Sequence, residues 1–202
     1  MNPAPIDFYF DFSSPYSFLA SEGIDGLAAR YGRTVNYRPI LLGAIFKASG
    51  GAPLTEQYGP KAKYSVHDFS RSARFAGIRY RHPSKFPISS VAPNRAVLAL
   101  QRDRPEQVPT LVHALFRALF QDDRDVSDAA VVAEVANSIG LDGAKLAEEA
   151  QAPAVKDALR KAVEDATALG VFGAPTIVVD GEMFWGNDRL PQIERWLASG
   201  PF

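Results

Sequence analysis

Three short segments carry residue types at spacings that suit chemistry. The first is Ser13-Ser14-Pro15-Tyr16. Ser14 is a good N-cap and Pro15 fits the first helical position, so a helix opens here. At a helix start, free backbone N–H groups and the dipole favour an anion. A serine hydroxyl there can donate a hydrogen bond to a thiolate or oxyanion; it can equally be a plain cap. The second segment is Gly173-Ala174-Pro175, directly before a strand-like run. With a cis bond at Pro175, this loop would offer a free backbone edge to an extended peptide-like ligand. With a trans bond it only ends a helix–strand connection. The third is Gly186-Asn187-Asp188. Asn187 or Asp188 caps the last helix, or the pair holds an α-ammonium and α-carboxylate at the helix start.

Other chemistries are set aside by what the chain lacks. It has no cysteine, which removes disulfides, thiolate metal sites, a cysteine nucleophile and any dithiol cycle of its own. His67, His82 and His113 lack metal-ligand spacing, and no metal site is expected. No nucleotide-binding glycine fingerprint or Gly-x-Ser-x-Gly elbow occurs. Lys and Arg number 22 against 23 Asp and Glu, so there is no basic surplus for nucleic acid or an anionic membrane. Arg71, Arg74, Arg79 and Arg81 read as a solvated face. No apolar run approaches the ~18 residues of a membrane span. Met1-Asn2-Pro3-Ala4-Pro5 lacks the basic and apolar regions of a signal peptide, so a cytoplasmic protein is expected.

The elements that must position these segments follow from pattern. Ile6 to Phe12 is aromatic-rich and reads as a strand whose rings form core. A helix from Ser14 runs to a stop at Gly32, and Thr34 to Arg38 is a second strand. Strand, helix, strand makes a right-handed crossover between parallel strands. From Gly43 the pattern turns to helices and loops, with helices expected at 61–76, 92–101, 110–120, 128–138 and 142–150. In the first of these, Tyr64, Phe69, Ala73 and Ala76 are candidate buried positions. Pro153 then opens a helix to Leu169, and Thr176 to Trp185 is a hairpin around Asp180-Gly181. A helix from Arg189 to Ala198 closes the chain. The sum is an α/β protein: a four-stranded mixed sheet with flanking helices, in the element order of a thioredoxin-like fold. Residues 1–42 and 153–202 form that domain, and 43–152 form an inserted all-helical domain. A chain of 202 residues can bury roughly 70% of its unfolded surface without staples.

Together these segments resemble the 2-hydroxychromene-2-carboxylate isomerase family, related to kappa-class glutathione transferases and the DsbA-like branch of the thioredoxin superfamily. The matching pieces are Phe8 to Ser17, Gly170 to Thr176 and Phe184 to Leu190. The resemblance implies a glutathione-dependent isomerase acting on a small aromatic carboxylate, with a kappa-like transferase or a non-catalytic thioredoxin-like binding module as alternatives. It implies that Ser14 is catalytic and contacts the glutathione sulfur. Ala174, before a cis Pro175, would pair its backbone with the cysteinyl unit. Asn187 and Asp188 would bind the γ-glutamyl end, and Lys61 a carboxylate of glutathione or substrate. Phe86-Pro87 and Asn94 also match family positions. A homodimer is implied as well. One departure is Gly50-Gly51-Ala52-Pro53, where relatives often carry an asparagine.

Overall fold

The computed structural model describes residues 3–51 and 59–202; of the Gly50–Pro53 loop, Ala52 and Pro53 lie outside them. Strand β1 (Ile6–Phe10), helix α1 (Pro15–Arg30) and strand β2 (Val35–Pro39) come first. Helices α2 (Leu42–Ser49), α3 (Gly59–Phe75), α4 (Val91–Asp103), α5 (Val108–Phe120), α6 (Ala129–Ser138) and α7 (Gly143–Glu149) follow. Helix α8 (Pro153–Leu169), strands β3 (Thr176–Val179) and β4 (Glu182–Trp185), and helix α9 (Leu190–Ser199) close the chain. The sheet has four strands in the order β2-β1-β3-β4. β1 is parallel to β2, and β3 runs antiparallel to both β1 and β4. This is the thioredoxin-like arrangement expected from the element order. Among the described residues no helix is long and apolar enough to cross a membrane.

Alternation along β1 sorts the core into two layers. Ile6, Phe8 and Phe10 are fully buried on one face. They share a core with Phe18 and Ile24 of α1 and with Leu115, Phe116 and Phe120 of α5. The Phe116 ring lies 4.6 Å from Phe12 and 5.7 Å from Phe10, centroid to centroid. The helices between β2 and α8 therefore pack directly on the aromatic strand. On the other face, Tyr9 meets Ile40, Ile45 of α2, and Ala166 of α8.

Several boundaries differ from the sequence reading. β1 stops at Phe10 because Asp11 turns its carboxylate inward to accept from the N–H groups of Ser13, at 2.8 Å, and Leu42, at 2.6 Å. α1 ends at Arg30, before Gly32 at φ +63°. On α3, Phe69 and Ala73 are buried but Tyr64 is exposed, and Ala76 lies exposed just past the helix end. Tyr64 faces outward, with the Arg71 guanidinium 5.3 Å from its ring centre. Arg71, Arg79 and Arg81 pair with Asp68, Asp122 and Asp123. α9 begins at Leu190 after a 3₁₀ turn over Asn187–Arg189, and no side chain caps it. Neither Asn187 nor Asp188 is therefore its cap.

Candidate active site

The strands deliver their loops to one end of the sheet, where α/β folds place ligands. β1 exits toward Ser13 and Ser14, β2 toward Leu42, and β4 toward Gly186. β3 is entered there from Ala174-Pro175. A cavity of about 910 Å³ opens at this end. It is lined by Ser14, Lys61, Ala174, Pro175, Asn187 and Asp188, so the candidate residues come together around one space.

Ser14 is the N-cap of α1, with extended backbone and Pro15 following. Its side chain is almost fully buried. The hydroxyl oxygen accepts from the Ser17 N–H at 3.1 Å and donates its single proton to the Ala174 carbonyl at 2.9 Å. That contact joins two loops far apart in sequence. The bond before Pro175 is cis, as is the one before Pro87. The neighbouring carbonyls of the Ala174 loop are occupied within the fold. Gly173 accepts from the Thr176 hydroxyl at 2.8 Å, and Pro175 from the Gly186 N–H at 3.0 Å. The Ala174 carbonyl is held by Ser14 alone, and the Ala174 N–H has no partner among the described residues. A backbone edge with a donor and an acceptor thus faces the cavity, which is what an extended peptide-like ligand needs.

Gly186 has φ +115°, and a Cβ there would run into the Asp188 carboxylate. This residue must be glycine for the turn to bring Asp188 back to the cavity. Asp188 accepts from Arg189 at 2.7 Å, and its side chain is largely exposed. A pair in that setting is weak and open to exchange with an incoming ammonium. Lys61 lies exposed in the first turns of α3. Asn94 stays outside the cavity; fully buried, it donates to the Ile40 carbonyl at 2.7 Å and ties α4 to the end of β2.

Residues to which the sequence reading gave no catalytic or binding role complete the cavity. Phe46, Phe69, Phe86 and Ile88 form an apolar side, and Phe172 and Trp185 flank the mouth with ring centroids 5.0 Å apart. A Cβ on Gly173 would come within 2.5 Å of the Trp185 indole nitrogen, so glycine lets the indole lie over this loop. Tyr16 donates to Asp68 at 2.5 Å, and Asp68 also takes Arg71. Burial, then the bond to Asp68, push the Tyr16 phenol well above its ordinary pKa, so it stays neutral. Burial opposes the Asp68 carboxylate, but the bonds from Tyr16 and Arg71 outweigh it and hold its pKa low. Asp11 lies behind the loop, and burial raises its pKa against the opposing N–H bonds from Leu42 and Ser13.

Comparison with known proteins agrees with this geometry. The model of the DsbA-like thioredoxin domain matches residues 5–198. A 2-hydroxychromene-2-carboxylate isomerase of Sphingobium xenophagum is 36% identical over 95% of this chain and 97% of its own. Glutathione S-transferase kappa 1 of Rattus norvegicus is 26% identical over 100% of this chain and 97% of its own. A solved 2-hydroxychromene-2-carboxylate isomerase superposes with a TM-score of 0.83 at 28% identity, covering 96% of this chain and 94% of that one. With Ser14, the cis Pro175 loop and the Gly186 turn gathered at one sheet end, the chain belongs to the DsbA-like thioredoxin family and, within it, to the 2-hydroxychromene-2-carboxylate isomerases.

Proposed function

We propose that this protein is a glutathione-dependent isomerase of 2-hydroxychromene-2-carboxylate-like aromatic compounds. The observation that carries the reading is a buried serine hydroxyl at a helix start, 2.9 Å from the Ala174 carbonyl, beside an Ala174 N–H that has no partner among the described residues. The family supplies the substrate class. The residues fit the cofactor. The Ala174 N–H and carbonyl suit a cysteinyl backbone, and Asn187 with Asp188 suits a γ-glutamyl head group. Lys61 suits a carboxylate. About 910 Å³ leaves room for an aromatic substrate beside the tripeptide.

When bound, glutathione supplies a nucleophilic thiol that adds reversibly to a conjugated carbon and is released unchanged. The protein's task is to hold that thiol ionised and aligned. A free thiol of pKa about 8.5 is only a few per cent ionised at neutral pH. Lowering it by one unit takes about 1.4 kcal/mol of differential stabilisation. The Ser14 hydroxyl and the N-terminus of α1 supply a charge-assisted hydrogen bond and a favourable dipole at that point. Phe46, Phe69 and Phe86 provide an apolar face that keeps water from the substrate's ring. We also propose the division into 1–42 with 153–202 and an inserted 43–152, Ser14 as the catalytic residue, a homodimer and a cytoplasmic location.

The test is turnover of a chromene carboxylate with glutathione counted before and after. Isomerisation that requires glutathione and leaves its amount unchanged supports the proposal. Stoichiometric loss of glutathione would instead make the protein a conjugating transferase, a reading favoured by its full-length similarity to the kappa transferases. Turnover indifferent to glutathione overturns both.

A further inference from the structure

The Ser14 hydroxyl has one proton, and that proton is committed to the Ala174 carbonyl. With that proton on Ala174, Ser14 cannot also donate to a sulfur, while its oxygen accepts from the Ser17 N–H. Releasing the proton leaves a carbonyl with no other partner among the described residues, and an unpaired carbonyl in a partly buried loop is costly.

We infer that Ala174 and Ser14 form a hydroxyl exchange that activates only thiols carrying an amide N–H beside the sulfur-bearing arm. In this exchange the Ala174 carbonyl accepts the ligand's amide N–H, and the Ser14 hydroxyl turns from that carbonyl to the sulfur. The exchange is favourable because the serine leaves a neutral acceptor for a charged one, and hydrogen bonds to ionised groups are roughly twice as strong. The ligand class that satisfies it is an N-acylated cysteine, of which glutathione is one. A simple thiol without that N–H leaves Ser14 on Ala174 and is not ionised. This deepens the proposed function and rests on it.

The experiment compares glutathione with an analogue in which an ester oxygen replaces the amide N–H between the γ-glutamyl and cysteinyl units. Calorimetry gives affinity, and the thiolate's ultraviolet absorbance across a pH series gives the ionisation of the bound thiol. With wild-type protein, glutathione at neutral pH is expected to show about tenfold more thiolate than in free solution, one pKa unit. The bound analogue is expected to stay within about twofold of its free value, with only modestly weaker affinity, because Ser14 still satisfies Ala174. In Ser14→Ala the two ligands should ionise alike, and the affinity gap between them should widen. Equal ionisation of both ligands by wild type overturns the exchange while leaving glutathione binding intact. Loss of all binding by the analogue also overturns it, since the N–H would then serve affinity alone. If glutathione itself does not bind, the cofactor reading fails first.

Discussion

The cavity's two sides are built differently. On the sheet side, from Ser14 through Ala174-Pro175 to Gly186 and Asp188, most polar groups are backbone or belong to short side chains at turns. Their positions follow from a helix cap, a cis bond and a positive φ, each of which is a local backbone condition. On the facing side, Leu42 and Phe46 of α2, Phe69 of α3, and Phe86 and Ile88 before α4 present rings and alkyl groups. Those positions follow from how helices pack on one another. Under the proposed function, thiol handling falls to the sheet end and substrate fit to the helices.

The largest expected effect comes from breaking the sheet side at its reacting group. Ser14→Ala should lower turnover about 100-fold while changing glutathione affinity less than about threefold, as for loss of one preorganised donor. Steady-state kinetics and calorimetry on the same preparation separate the two. Weaker binding with unchanged turnover would reduce Ser14 to a helix cap. Next comes the ammonium end of the site. Asp188→Ala should weaken glutathione binding about tenfold, or 1.4 kcal/mol, with turnover at saturating glutathione retained. An unchanged dissociation constant would leave Asp188 as no more than the partner of Arg189.

Asp11 sharpens the comparison, because its carboxylate pins the Ser14 loop to the first residue of α2 and so couples the two sides. Asp11→Asn turns one acceptor into a donor facing an N–H, and should cost about 1–3 kcal/mol of stability. Burial raises the folded pKa of Asp11 above its unfolded value. The stability linked to its proton is therefore fully present below the unfolded carboxylate range and lost as pH rises through the folded pKa. Urea unfolding at a series of pH values should show Asp11→Asn costing more in acid than at neutral pH. A cost that does not vary with pH would contradict this account of the residue.

The smallest effect is expected on the helical side. Tyr16→Phe removes one hydrogen bond to Asp68, which keeps Arg71, and should cost about 0.5–1.5 kcal/mol. Because the phenol stays neutral, the pH–rate profile should be unchanged. A profile altered by this substitution would place Tyr16 in proton transfer.

What could be read from sequence divides along the same line. Ser14-Pro15 announces its helix because capping and proline at N1 are local rules, and α8 runs from Pro153 to Leu169 as its pattern indicates. The Asp180-Gly181 hairpin is local as well. The part played by Asp11 has no local signature, since its partner Leu42 lies beyond a helix and a strand. Phe46, Asp68 and Trp185 face the cavity through packing that no short motif encodes. The capping alternative for Asn187 and Asp188 fails because a 3₁₀ turn comes between the hairpin and α9. The signal for Trp185 was its place directly before Gly186, the turn that returns the chain to the site.

The central claim is that Ser14 stabilises a borrowed thiolate. The most direct test is the ultraviolet absorbance of glutathione bound to wild type and to Ser14→Ala at neutral pH, with both proteins saturated. A thiolate band in wild type that falls about tenfold in the variant is the predicted result. Equal thiolate in both, with binding intact, would contradict it.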